Sequence, residues 1–227
     1  MVRQVRAVRT RRIILEAAGA VFDEFGYESA TIAEILARAG VTKGALYFHF
    51  GSKEELARGV LSEALTVEGV LPQPLRLQEW VDVGLVLAYR VPREPLLSAS
   101  IRLSADRRAR ELFGTSWPGW IDFVAGQLAG ARDGGELLPC VDPQITATLF
   151  VSAWTGVEIV SSGLGEGGVL ERRVAMLYEA FLPGIAVPGV LRQLDTAPDR
   201  GARVWRAHCE QQSEEGSGAV PVAFYRV

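Results

Sequence analysis

The stretch Thr31–Leu56, TIAEILARAGVTKGALYFHFGSKEEL, limits what this chain can fold into more than any other. Thr31 precedes an apolar run and Glu34 stands three residues later, the spacing of a capping box. Ile32, Ile35, Leu36 and Ala39 recur at helical spacing and give that helix one buried face. Gly40 supplies a residue free to take a positive φ, and Thr42 can cap a second helix. That helix, Lys43–Phe50, is too short to stand alone and must be held by its neighbours. Ser52 and Glu55 repeat the capping-box spacing where the next helix starts. Two helices joined by a short Gly-containing turn form a helix-turn-helix, whose second helix enters the DNA major groove. The segment predicts a DNA-binding head.

These residues resemble the helix-turn-helix of the TetR family of bacterial regulators. The run VTKGALYFHF followed by SKEEL is similar, more specifically, to the γ-butyrolactone receptors of Streptomyces-type actinobacteria. The N-terminal MVRQVRAVRTRRIILEAAGAVFDEFGYESATI extends the resemblance, and PLRLQE, GELLP and LPGIAVPGVL continue it in order. It implies an all-α, TetR-like fold: an N-terminal three-helix head and a larger helical body for ligand binding and dimerisation. The expected domains are 1–51 for DNA binding, 52–210 for the body, and 211–227 as a flexible C-terminal tail. A homodimer of this kind sets two recognition helices about one turn of DNA apart and calls for a pseudopalindromic operator. No metal, nucleotide or other cofactor is needed for that binding.

Composition fits this reading. The net charge of −3 excludes a bulk polyanion binder. Residues 1–58 hold nine Lys/Arg against seven Asp/Glu, whereas residues 59–227 hold fifteen against twenty. Arg3, Arg6, Arg9, Arg11 and Arg12 precede the first acidic residue, as an arm along phosphates would, or as a solvated helix start would. Cys140 and Cys209 have neither metal-ligand spacing nor the number for a disulfide framework. Ile13–Phe25 is amphipathic, unlike the apolar core of a secretory signal. No segment reads as long and apolar enough to span a bilayer. The expected location is the cytoplasm.

Along the chain, Ile13, Ile14, Ala17, Ala18, Val21, Phe22 and Phe25 form the core stripe of a first helix that Gly26-Tyr27 ends. A fourth helix is expected from Lys53 to about Val67, joining head to body. An amphipathic segment with Trp80, Val83, Leu87 and Val91 follows the Pro72/Pro74 break, and Leu96–Leu103 reads as a short helix. Residues 107–116 read as a loop. Trp117–Ala131 is helical despite three glycines, and Asp142-Pro143 opens the next helix. Ile145–Val160 is apolar nearly all round, so it is expected to be buried on both sides. After the glycine-rich loop Gly163–Gly168, Val169–Phe181 is amphipathic. These two helices resemble the pair that packs against its symmetry mate in TetR dimers.

Lys43, in the first turn of the recognition helix, can reach guanine O6 and N7, and Gly44 permits close backbone approach. The resemblance implies that Leu46 and Phe50 lock the helix down, that Tyr47, Phe48 and His49 lie near phosphate or sugar, and that Thr31, Thr42 and Lys53 grip phosphates. Thr31 and Thr42 serve equally well as helix caps, and Phe48 as core. For the body, the resemblance implies a small, mostly apolar lactone ligand lying against Trp120, with Trp117 as the rival in register. Trp154 is a candidate wall, Thr155 a candidate donor to a lactone carbonyl, and Leu87 a further lining residue. Aromatic residues at helical spacing also serve simply as core. Ala64 departs from the resemblance, which implies a Gln at that position in several relatives, and the departure leaves the identity of the ligand open. The implied function is a repressor of secondary metabolism, including antibiotic biosynthesis, released by a γ-butyrolactone. The alternatives keep the fold and change the signal, to an antibiotic or biosynthetic intermediate or to the many ligands of a multidrug-type repressor. An enzyme is not expected: the only histidines are His49 and His208, there is no G-x-S-x-G elbow, and GLGEGG lacks a P-loop lysine.

Overall fold

The computed structural model describes residues 2–63, 68–164 and 169–214, with side chains from Arg6 to Gln212. The Arg3 side chain, Ala64, the end of the expected fourth helix, most of the Gly163–Gly168 loop and the tail beyond 214 lie outside this description. In chain order the helices are α1 Val2–Ser29, α2 Ile32–Ala39, α3 Lys43–His49, α4 Lys53–Glu63, α5 Arg76–Arg90 and α6 Pro95–Ala105. They continue with α7 Arg107–Phe113, α8 Trp117–Asp133, α9 Pro143–Gly163, α10 Leu170–Phe181, α11 Pro188–Leu191 and α12 Arg200–Glu214. No strand occurs among the described residues, so the chain is all-α. It divides into two compact units, Met1–Leu65 with Glu94–Ser116, and Thr66–Arg93 with Trp117–Val227.

The first unit closes around one apolar core. Ile14, Leu15, Val21 and Phe22 of α1 meet Ile35, Leu46, Phe50, Leu56 and Val60 from α2 to α4, and Ala99, Leu103 and Ala109 from α6 and α7. Gly26 breaks α1 with φ 74° and ψ 167°, where the sequence placed the helix end. Phe25, expected on the core stripe, is 44% exposed: it is the last residue before the break, and the buried face of α1 ends with Phe22. Residues 107–113 correct the loop expected at 107–116: they form α7, capped by Asp106, whose carboxylate accepts from the Ala109 amide at 2.7 Å. Buried Ala109 and the edge contact of Phe113 with Tyr27, 4.6 Å between ring centroids, fasten α7 to α1.

In the second unit α5 is almost wholly buried. Its N-terminus lacks a local cap and takes one from a distance: the buried Glu136 carboxylate accepts from the amides of Arg76 at 2.9 Å and Leu77 at 2.8 Å. Backbone bonds from Leu138 to Ile185 and from Val187 to Glu136 hold that loop in place. Trp80 packs edge-on against Phe150 and Tyr178, and Tyr178 donates to the Trp80 carbonyl at 2.9 Å. Asp142 caps α9 as the sequence predicts, accepting from Ile145 at 2.8 Å. The last helix, α12, has no counterpart in the sequence reading. Gly201 lets it lie against α5, since a Cβ there would overlap the Leu85 carbonyl. Arg200 fastens it to the fully buried Asp82.

Two expectations for α9 fail together. By length and composition its 21 residues suffice to cross a bilayer. It is also not buried on both sides: Ala147 and Phe150 face inward, while Ile145, Leu149, Ile159, Val160 and Leu164 lie 43–63% exposed. The pattern is apolar all round, but the chain itself covers only one side.

Candidate nucleic-acid interface and ligand cavity

The helix-turn-helix forms from its local signals. The Thr31 hydroxyl accepts from the Glu34 amide at 3.2 Å, and the Glu34 carboxylate accepts from the Thr31 amide at 2.8 Å, closing the capping box. The hydrogen bonds from Thr31 hold the Glu34 carboxyl below its ordinary range. Gly40 takes the left-handed conformation, φ 63° and ψ 29°, and sends the chain into α3. The Thr42 hydroxyl accepts from Ala45 at 3.2 Å and caps α3. At the start of α4, Ser52 accepts from the Glu55 amide, while the Glu55 carboxylate accepts from Gly51.

Burial then sorts the residues of α3. Leu46 is fully buried and Phe50, just past the helix, is nearly so; both hold α3 on the core. Lys43, Gly44, Tyr47 and Phe48 are exposed, and Phe48, at 79%, is no core residue. A Cβ at Gly44 would meet nothing within 4 Å, so the chain's own packing does not demand glycine there. The Lys43 ammonium lies 5.8 Å from the centre of the Tyr47 ring, and half-buried His49 meets Phe48 edge-on. Lys53 is held closer in. Its ammonium sits 4.4 Å over the Tyr27 ring and donates to the Glu28 carbonyl at 3.2 Å. Burial draws its pKa below the ordinary value, against the pull of Glu28, Glu54 and Glu34. Of the N-terminal arginines, Arg6 and Arg9 are exposed, whereas Arg11 pairs with Glu63 at 2.6 Å and covers Phe50.

The exposed set has the make-up of a groove-reading surface. Replacing Lys43 by Ala is expected to weaken specific binding roughly 5- to 100-fold, the worth of one good base contact, with non-specific binding little changed. Titration of matched and scrambled duplexes checks this.

The second unit contains a cavity of about 590 Å³. The segment Val70–Pro74, the start of α5 and the middle of α8 line it. Val70, Leu71, Pro72, Pro74, Val83 and Phe123 are its apolar wall, and Gln73, Arg76, Glu79 and Gln127 are its polar groups. Arg76 donates to Glu79 at 2.8 Å, and the other Glu79 oxygen accepts from the Gln73 amide at 3.0 Å. The size suits a small-molecule site. Trp120 is not part of this lining, but its ring meets that of Phe123 at 6.0 Å, one turn along the same face of α8. Leu87, Trp154 and Thr155 are half-buried and do not line this cavity; the Trp154 indole donates to the Gly84 carbonyl at 3.3 Å. Sequence reading missed Phe123 and Gln127, although both follow Trp120 at helical spacing.

A family model described as "Bacterial regulatory proteins, tetR family" matches residues 14–60. The A-factor receptor protein of Streptomyces griseus is 40% identical over 195 residues, covering 86% of this chain and 70% of that protein. TylP, a TetR regulator from Streptomyces fradiae, has a similar structure, with a TM-score of 0.84 and 43% identity over 89% of this chain and 99% of that one. A γ-butyrolactone receptor described as ArpA-like gives a TM-score of 0.63 at 28% identity, over 93% and 100% of the two chains. The chain belongs to the TetR family of bacterial regulatory proteins, as a relative of the A-factor and γ-butyrolactone receptors.

Proposed function

We propose that this protein is a dimeric repressor that holds a pseudopalindromic operator and lets go when a γ-butyrolactone-type molecule fills its cavity. The observation that carries this reading is the sorting of α3: Leu46 buried, with Lys43, Gly44, Tyr47 and Phe48 bare. Lys43 and Tyr47 read bases, while the α2 and α4 starts, with Thr31, Thr42, His49 and Lys53, set the register on phosphates. Residues 1–51 do this work, and the body supplies signal and partner. The exposed apolar face of α9, continued by Met176 of α10, supports a twofold interface, since such a face costs free energy in water. Release follows from linkage: the ligand must favour a state whose two heads no longer match the operator spacing. α4, which precedes the body in the chain, is the natural lever. A regulator of this kind acts in the cytoplasm and catalyses nothing.

A second reading concerns the signal. Gln73, Arg76, Glu79 and Gln127 give the cavity more polar groups than a simple lactone needs, which favours an antibiotic or biosynthetic intermediate with several oxygens. Footprinting on DNA upstream of the protein's own gene tests the common part. Protection of a twofold-symmetric site supports the repressor; protection without symmetry, or none, removes it.

A further inference from the structure

The helix-turn-helix surface does not end at α4. α7, which the sequence pattern hides, carries Arg107 and Arg108, 86% and 70% exposed, in its first turn. Arg108 Nε lies 3.0 Å from the Glu28 carboxylate, and the carbonyl of the same Glu28 accepts from the Lys53 ammonium at 3.2 Å. Tyr27 carries Lys53 over its ring and meets Phe113 of α7 at its edge. Tyr27 and Glu28 therefore link two cations, Lys53 and Arg108, and Arg107 stands next to Arg108 in the same turn of α7. Glu28 stands three residues ahead of Thr31, the N-cap of α2, and the first helix of such a motif is the one that crosses the phosphate backbone.

We propose that Arg107 and Arg108 form a phosphate-gripping extension of the DNA surface, outside the helix-turn-helix itself. The argument rests on the side-chain cations and not on the helix end. Neither guanidinium is committed to the fold: Arg107 has a loose 3.8 Å pair with Glu111, and Arg108 an exposed pair with Glu28. Exposed pairs of this kind are weak and exchange readily for a phosphate, which offers a guanidinium two oxygens. Glu28 then acts as a gate, holding Arg108 in the free protein and opposing phosphate with its own charge. Such contacts add affinity on any sequence and carry none of the base preference.

This inference rests on the DNA-binding reading, and the test separates the two. Full-length protein is titrated against the upstream DNA and against a scrambled duplex at several salt concentrations. The double variant Arg107→Ala/Arg108→Ala should weaken binding to both duplexes about tenfold and flatten the salt dependence by roughly one unit for each phosphate no longer gripped. Lysine at both positions should restore most of it. Glu28→Gln should tighten binding to both duplexes severalfold, and only while Arg108 is present, a gain that a damaged fold cannot produce. If wild-type protein binds and these variants match it in affinity and salt slope, the extension is wrong and the repressor stands. If wild-type protein binds neither duplex, both are overturned.

Discussion

Leu149→Asp is expected to leave each chain folded, convert the dimer to monomer, and reduce operator affinity at least 100-fold. Leu149 is 58% exposed on α9, so a carboxylate there meets water in the isolated chain and disturbs little. In a twofold interface the same change places two unpaired charges between apolar faces, each costing several kcal/mol, about 3–5 when a buried charge lacks its partner. Losing one half-site from a linked pair then removes the avidity that two recognition helices share. Sedimentation checks the assembly and anisotropy checks the operator. Gln193→Asp, at an exposed position outside α9 and α10, is the control for the charge alone. A dimer that survives Leu149→Asp would place the interface elsewhere.

The second large effect is on stability. Asp82 is completely buried and receives Arg200 through two parallel bonds, with the Nη2–Oδ2 contact at 2.9 Å. Gln78 donates to the same carboxylate at 2.8 Å and to the Asp195 carbonyl, so α5, α12 and the segment between α11 and α12 meet at one cluster. Asp82→Asn keeps the shape but takes away the buried carboxylate of Arg200, which is left with the partly exposed Asp195 at 3.0 Å as its remaining counter-charge. The expected cost is about 3 kcal/mol, as for breaking one side of a buried pair. For a chain of this size that lowers Tm by roughly 6–12 °C. Adding Arg200→Met removes the half-paired guanidinium and, because Asp195 keeps Arg203, should recover part of the loss. Asp195 adds a pH signature. Burial pushes its carboxyl up, but bonds from Arg203, the Ala197 amide and Arg200 outweigh that and hold it at about 2. The folded value lies below the ordinary 3.8, so this contribution is complete above that pH and fades as pH falls toward about 2. Thermal melts from pH 7 to pH 2 on wild type and Asp195→Asn should converge at the acid end.

The helix-turn-helix was legible because its instructions are local. Thr31 with Glu34, Gly40 and Thr42 each act within four residues, and each acts in the structure as its spacing predicts. α7 was not, since seven residues rich in arginine show no apolar stripe, and its hold comes from Ala109 and a ring contact with distant Tyr27. α12 escaped for the same reason in stronger form: its decisive partner, Asp82, lies 118 residues away. The pattern of α9 was read correctly as apolar and wrongly as buried, because sequence does not say whether a chain covers its own face or offers it to another. The cavity was legible in kind only. Phe123 and Gln127, one and two turns beyond Trp120 on α8, line the cavity, and Trp120 itself does not. The remaining walls come from Val70–Pro74 and α5, which no local signal joins to α8.

The most direct test couples the two sites. Operator-bound protein, followed by fluorescence anisotropy, is titrated with a panel of synthetic γ-butyrolactones while tryptophan emission reports occupancy of the cavity near Trp120. Release of the DNA by one lactone, at the concentration that changes the emission, is the predicted result. A lactone that fills the cavity and leaves operator affinity unchanged would contradict it.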